Sequence, residues 1–147
     1  MCSSDLEVVD LPEGGRLRRL GNVRFAFKNR PLPIHASARA AAKAALAAGD
    51  QGKFWEYHDA LFAHQDALDP ASLERYAAEL GLDVDRFRRT MAADRTEASI
   101  AADEVEATRL GVQGTPTFFV NGRRLIGAQP LERFQPVVEL ALADARR

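Results

Sequence analysis

The sequence predicts a mixed α/β fold in which a block of helices is inserted between a strand and a C-terminal β-hairpin. Residues 23–27 alternate apolar side chains with charged or small ones, which is typical of a half-buried strand. Residues 118–120 form a short apolar run directly before Asn121-Gly122, the strongest short-range signal for a two-residue hairpin turn. Between these two signals, residues from about 36 to about 110 space their apolar side chains as helices do.

Six helices are predicted in the inserted block and at the C-terminus. The alanine-rich first helix, 36–48, is expected to end at Gly49, because glycine is a favoured residue just past a helix end. Asp69 before Pro70 is a typical helix start, since aspartate accepts hydrogen bonds from first-turn N–H groups and proline is tolerated at the first helical position. The other helices are predicted at about 54–62, after Asp83, at about 95–110 and at about 131–145.

The first 22 residues are predicted to lie outside the main domain, which spans 23–147. Residues 1–6 look like the translation of a sequencing-library adapter read from a GTG start, so we interpret the first 22 residues as a non-native or truncated segment. Within this segment, residues 6–9 have the composition of a short strand, and residues 16–20 are predicted to form about one turn of helix.

Composition narrows the classes of function. The single cysteine among 147 residues, Cys2, excludes an internal disulfide and a multi-cysteine metal site. Twenty basic against 21 acidic residues give a formal net charge of −1, so the charge balance does not argue for a nucleic-acid partner. No apolar run is long enough to predict a membrane span, and the N-terminus lacks the pattern of a secretory signal.

The turn before the hairpin, Gly114-Thr115-Pro116, is the strongest candidate for a binding site. The proline ring pushes Thr115 into an extended conformation, and an X-Pro peptide bond becomes cis at a cost of only about 0.5–1 kcal/mol. A cis bond would turn the main chain of Thr115 outward, where an extended peptide can pair with it as an added strand. An ordinary trans proline that opens a strand fits the spacing equally well.

The segment 111–122, followed by 125–130, resembles the cis-proline segment of DsbA-like thioredoxin-fold proteins. Other landmarks of the bacterial members of that family recur in the same order, at 23–35, 51–62 and 80–87. The resemblance therefore runs from about Val23 to the C-terminus, and it implies a thioredoxin-like fold with a helical insertion at about 36–110.

The same resemblance implies a thiol–disulfide oxidoreductase without a cofactor, in either a periplasmic or a cytoplasmic location. By match to the motif, Thr115 and Pro116 face the substrate, with Gly114 beside them. The implied partner is an extended polypeptide or a thiol substrate bound at this loop, and the oligomeric state stays open.

The signature Cys-x-x-Cys pair of that family, at the start of its first helix, is absent from this sequence. Cys2 cannot replace it, since no strand precedes it and no second thiol follows to resolve a mixed disulfide. We therefore assign no catalytic residue and expect the chain as given to be redox-inert. The resembled fold also places its first strand between the strands that match 23–27 and 117–120, and we hypothesise that residues 6–9 fill that gap.

Other polar side chains predict no further site. His58 and His64 are six residues apart, which places them on different helical faces, and neither has a partner at i+4 for a metal ion. Asp103 and its acidic neighbours are interpreted as a solvated helix face, and Arg123 and Arg124 as side chains of an exposed hairpin.

Two alternatives to the oxidoreductase remain. One is a glutathione-dependent isomerase or transferase of the kappa type, which shares the helical insertion and a similar proline loop. The other is a non-catalytic peptide-binding module that keeps the loop without the thiols. Upstream genomic sequence would separate the three. The oxidoreductase predicts a Cys-x-x-Cys pair there, the kappa-type enzyme predicts a lone serine or cysteine, and the peptide-binding module predicts neither.

Overall fold

The computed structural model describes residues 16–20 and 22–145. Within these ranges it confirms the predicted mixed α/β fold, with a block of five helices between two pairs of strands and one more helix at the end. The strands are β1 (Leu17–Leu20), β2 (Val23–Ala26), β3 (Thr117–Val120) and β4 (Arg123–Ile126). The helices are α1 (Ala38–Gly49), α2 (Phe54–Ala63), α3 (Pro70–Glu79), α4 (Val84–Ala92), α5 (Asp94–Arg109) and α6 (Leu131–Asp144).

The strand β1 replaces the helical turn that was predicted at residues 16–20, so that prediction was wrong. β1 pairs antiparallel with β2, from Leu17 opposite Ala26 to Leu20 opposite Val23. Five residues are too few for a stable isolated helix, whereas the neighbouring strand supplies partners for the backbone groups of β1. The pairing continues beyond the strand, because the Phe27 N–H donates to the Arg16 carbonyl over 3.1 Å.

Helix α1 lies at the centre of the helical block and packs against α2, α3, α4 and α5. Its alanines are largely buried, and their small side chains allow the neighbouring helices to approach closely. Phe27, which follows β2, belongs to this core, and the largest of its fully buried side chains come from the surrounding helices. They are Phe54, Tyr57, Leu61, Leu73, Tyr76 and Phe87. None of the described helices is both long and apolar enough to cross a membrane.

The predicted hairpin is present, with Thr117 opposite Ile126 and Val120 opposite Arg123. Asn121 and Gly122 make the turn with φ values of 46° and 83°, a left-handed pair that Asn-Gly adopts readily. Helix α6 covers one face of the hairpin, where Phe134 packs on Phe118 with ring centroids 4.8 Å apart.

The described strands form two separate two-stranded sheets, because β2 and β3 do not pair with each other. A cavity of about 190 Å³ lies between these two strands and α6. Its apolar lining comes from Val23 of β2, Val120 of β3 and three side chains of α6. Residues 6–9, the hypothetical strand for this gap, lie outside the described residues.

Candidate functional site

The loop that carries the candidate binding residues begins where α5 ends. Gly111 adopts a left-handed φ of 68°, and its N–H donates to the Thr108 carbonyl over 3.0 Å. The next N–H, that of Val112, donates to the Ala107 carbonyl over 2.9 Å, so the last carbonyls of the helix are satisfied by the loop itself. The Val112 side chain is buried with Ala107 and packs against Phe119, which fixes the loop to both the helix and the hairpin.

On its other side the loop is held by the hairpin. The Thr117 hydroxyl donates to the Gly114 carbonyl over 2.7 Å, and the Gly127 N–H donates to the Pro116 carbonyl over 2.8 Å. The peptide bond between Thr115 and Pro116 is cis. The residues on either side of Thr115 therefore have their carbonyl groups engaged within the protein.

Thr115 differs from its neighbours because its polar groups have no partner within residues 16–20 and 22–145. Neither its N–H nor its carbonyl makes a hydrogen bond to another described residue. Its hydroxyl oxygen is buried, again without a partner among the described residues. Since the residue is half-buried at the surface, one donor and one acceptor of the main chain are available to an extended peptide laid beside it.

A cavity of about 200 Å³ adjoins this loop. Gly111 to Gly114 form one wall, and Thr117, Arg124 and Ile126 of the hairpin form the other. The Arg124 guanidinium donates to the carbonyls of Leu110 and Gly111 over 3.3 Å and 3.2 Å, at the negative end of the α5 dipole. Sequence analysis missed this role, because nothing in the order of residues shows that Arg124 reaches a helix end in space.

The three predicted binding residues, Gly114, Thr115 and Pro116, are consecutive and lie on this one loop, and their role in binding stays a prediction. The loop lies at the surface, and its buried anchors are Val112 and Thr117 on either side. The chain's single cysteine, Cys2, lies outside the described residues.

Asp103 corrects the prediction of a solvated helix face, since it is only 2% exposed. Its carboxylate accepts hydrogen bonds from the Asn29 N–H at 2.9 Å and from the Arg16 guanidinium at 2.5 Å. The ammonium group of Lys28, also buried, lies 3.3 Å from Asp103 and 2.9 Å from Glu106. Because buried charges need such partners, the residues just before β1 and just after β2 favour the inward position of Asp103 on α5.

The described histidines are engaged locally. The His58 ring packs on Phe62 with centroids 4.6 Å apart, and its Nδ1 lies 3.0 Å from an oxygen of Asp59. The His64 ring stacks on Tyr76 with centroids 5.0 Å apart. Among the described residues, no group of three or more His, Cys, Asp or Glu side chains is arranged to hold a metal ion.

Comparison with curated proteins finds relatives that are much longer than this chain. It is 51% identical over 127 residues, 85% of its length, to Na(+)/H(+) antiporter NhaA 3 of Salinispora tropica. It is 40% identical over 117 residues, 80% of its length, to Na(+)/H(+) antiporter NhaA of Herminiimonas arsenicoxydans. The chain spans only 19% of the length of either antiporter.

Two solved structures resemble the chain over most of its length. One is a thioredoxin-like oxidoreductase from Silicibacter pomeroyi DSS-3, with 34% identity, a TM-score of 0.75 and coverage of 83% of this chain and 70% of the other. The second is the thiol-disulfide exchange protein alpha-DsbA2 from Wolbachia pipientis, with 27% identity, a TM-score of 0.74 and coverage of 81% and 66%. A model of the DSBA-like thioredoxin domain matches residues 15–139, and the chain therefore belongs to the DSBA-like thioredoxin domain family.

Proposed function

We propose that this chain holds an extended polypeptide or thiol substrate at Gly114, Thr115 and Pro116, as the substrate-binding part of a thiol–disulfide oxidoreductase. The proposal is carried by the main chain of Thr115, which has no partner in the described part of the chain, next to neighbours whose carbonyl groups are engaged. A peptide that pairs with Thr115 gains two main-chain hydrogen bonds. Because the loop is fixed at both ends, little loop ordering opposes that gain.

The thiol–disulfide chemistry in this proposal is inferred by analogy with the structural relatives of the chain. The two structural relatives are described as an oxidoreductase and a thiol-disulfide exchange protein, which favours this class over a glutathione-dependent transferase. Disulfide exchange within one domain needs an attacking thiolate and a second thiol that resolves the mixed disulfide. These 147 residues supply one cysteine, so the proposed activity of the chain as given is binding without turnover.

The binding test uses the alkylated B chain of insulin as an unfolded polypeptide that cannot exchange thiols. Gly114 is a suitable position for a block, because a Cβ built there meets nothing within 4 Å and its φ is not left-handed. We expect Gly114→Trp to weaken binding at least tenfold by covering the path beside Thr115, while Gly114→Ala stays within about twofold. NMR titration of the Thr115 amide gives the affinity, and thermal melting confirms that both variants fold.

Two results would contradict the proposal. Equal affinity of the tryptophan and alanine variants would place the peptide elsewhere, and a Thr115 amide that does not shift would exclude the pairing. Turnover is tested separately by reduction of insulin with dithiothreitol, where we expect only the background rate of the reductant. A rate above that background that Cys2→Ala abolishes would show that the lone thiol is catalytic.

A further inference from the structure

Three arginines surround an open cavity of about 420 Å³ where α1 ends and α4 meets α5. We call it the arginine pocket. It is lined by Asp50, Arg86, Arg89, Thr90, Ala93 and Arg95. Three guanidinium groups and one carboxylate leave this small surface with two more positive than negative side chains. Such an excess stands out in a chain whose formal net charge is −1.

Two of the three guanidinium groups are held in place by Asp50. Its carboxylate accepts hydrogen bonds from Arg86 at 2.9 Å and 3.1 Å and from Arg95 at 3.1 Å, and its main-chain carbonyl accepts a further bond from Arg86 at 2.8 Å. The Arg86 guanidinium holds the pKa of Asp50 below its usual range, so the carboxylate stays charged as their common anchor. An anion that binds these arginines therefore meets donors whose side chains are already ordered.

Arg89 and the first N–H groups of α5 are further hydrogen-bond donors at the pocket. Arg89 follows Arg86 by one helical turn, is exposed, and makes no ion pair or hydrogen bond with a described residue. Ala93 is the N-cap of α5 and offers no side-chain acceptor to the first N–H groups of that helix. Of the acidic residues in the first turn, Glu97 is engaged by Arg39 and Lys43, and Asp94 does not line the pocket.

We propose that the arginine pocket binds a phosphomonoester group, carried either by a soluble molecule or by phosphatidic acid, a phospholipid whose headgroup is itself a phosphomonoester. A phosphate dianion matches the two-charge excess of the pocket, and its oxygens match the paired N–H groups of Arg89, which have no partner among the described residues. The cavity is open, so the molecule that carries the phosphate can extend into solvent. This site is made by α1, α4 and α5 and is independent of the loop at Thr115.

The first test is a titration with inorganic phosphate at constant ionic strength, followed by NMR of the arginine Nε–H groups and the amides of Ala93 and Asp94. We expect saturable shifts confined to the pocket. Arg89→Gln should weaken the apparent affinity at least threefold, and the double variant Arg89→Gln with Arg95→Gln at least tenfold. Arg133→Gln is the matched control, because Arg133 is an exposed arginine on α6 and its loss should change the affinity less than 1.5-fold.

The second test adds vesicles of phosphatidylcholine with or without phosphatidic acid and measures the protein that sediments with them. Binding to the anionic vesicles that the double variant abolishes identifies a lipid headgroup as the source of the phosphate. Phosphate binding without sedimentation identifies a soluble phosphomonoester. Shifts that do not saturate, or an equal loss of affinity in Arg133→Gln, would show only general attraction of anions and would overturn the proposal.

Discussion

Asp103 and Glu104 are neighbours in the sequence whose carboxylates lie in opposite environments. Asp103 is enclosed by Arg16, Lys28 and the Asn29 N–H, whereas Glu104 reaches the half-exposed Arg39. Helical spacing alone cannot distinguish them, because the cations that pair with Asp103 come from another part of the chain. The turn at Gly114 to Pro116 can be predicted from local rules, because glycine permits backbone conformations that other residues avoid and proline fixes φ. The role of these residues in binding stays a prediction.

Replacement of Asp103 by asparagine tests how much the buried ion pairs of Asp103 contribute to the free energy of unfolding. We expect Asp103→Asn to lower the free energy of unfolding by about 3 kcal/mol, because it leaves buried Lys28 with only part of its compensating charge. Glu104→Gln removes the same charge from the adjacent position and should cost about 0–1 kcal/mol, as half-exposed pairs do. Urea denaturation measures both, and equal losses would contradict a special role for Asp103.

Among the elements, the helices agree with prediction and β1 does not. Helices α3 and α4 begin directly after Asp69 and Asp83, the two residues whose type marks a helix start. Such a cap joins residues that are at most three positions apart, so the sequence alone is enough to predict it. β1 is different, because its four residues take their conformation from a partner strand that only the folded chain brings beside them.

The N-cap of α4 leads to a prediction about the stability of that helix. The Asp83 carboxylate accepts a hydrogen bond of 2.8 Å from the Arg86 N–H, one of the first-turn donors that otherwise lack a partner. Asp83→Ala should lower the free energy of unfolding by about 1 kcal/mol, and Asp83→Asn, which keeps an acceptor, by only a few tenths. Denaturant midpoints compare the two, and an asparagine variant as unstable as the alanine variant would show that charge matters more than the cap.

At the scale of the whole molecule, charge connects helices that are far apart in the sequence. Arg39 and Lys43 of α1 both pair with Glu97 of α5. Hydrogen bonds from these two cations, first from Arg39, lower the pKa of Glu97 from 4.5 to about 2. No sequence pattern predicts this connection, because it depends on how α1 and α5 pack against each other.

That pKa determines how stability should depend on pH. A carboxyl group whose pKa is lowered by folding stabilises the folded state above its unfolded pKa of 4.5, and the stabilisation disappears as the pH falls through about 2. The difference in melting temperature between the native chain and Glu97→Gln should therefore be constant above about pH 6 and shrink between pH 4.5 and 2. Glu79→Gln, which removes a carboxylate from an exposed i,i+4 pair, is the control. A difference that does not change with pH would contradict the assignment.

The hydrogen bonds between described residues that hold the proline loop involve groups other than those of Thr115. Under the proposed function, a guest strand can dock and leave without rupturing any contact inside the host. Peptide binding is then separable from redox chemistry. The loop at Thr115 can hold a peptide whether the thiols that react with that peptide belong to this polypeptide or to another.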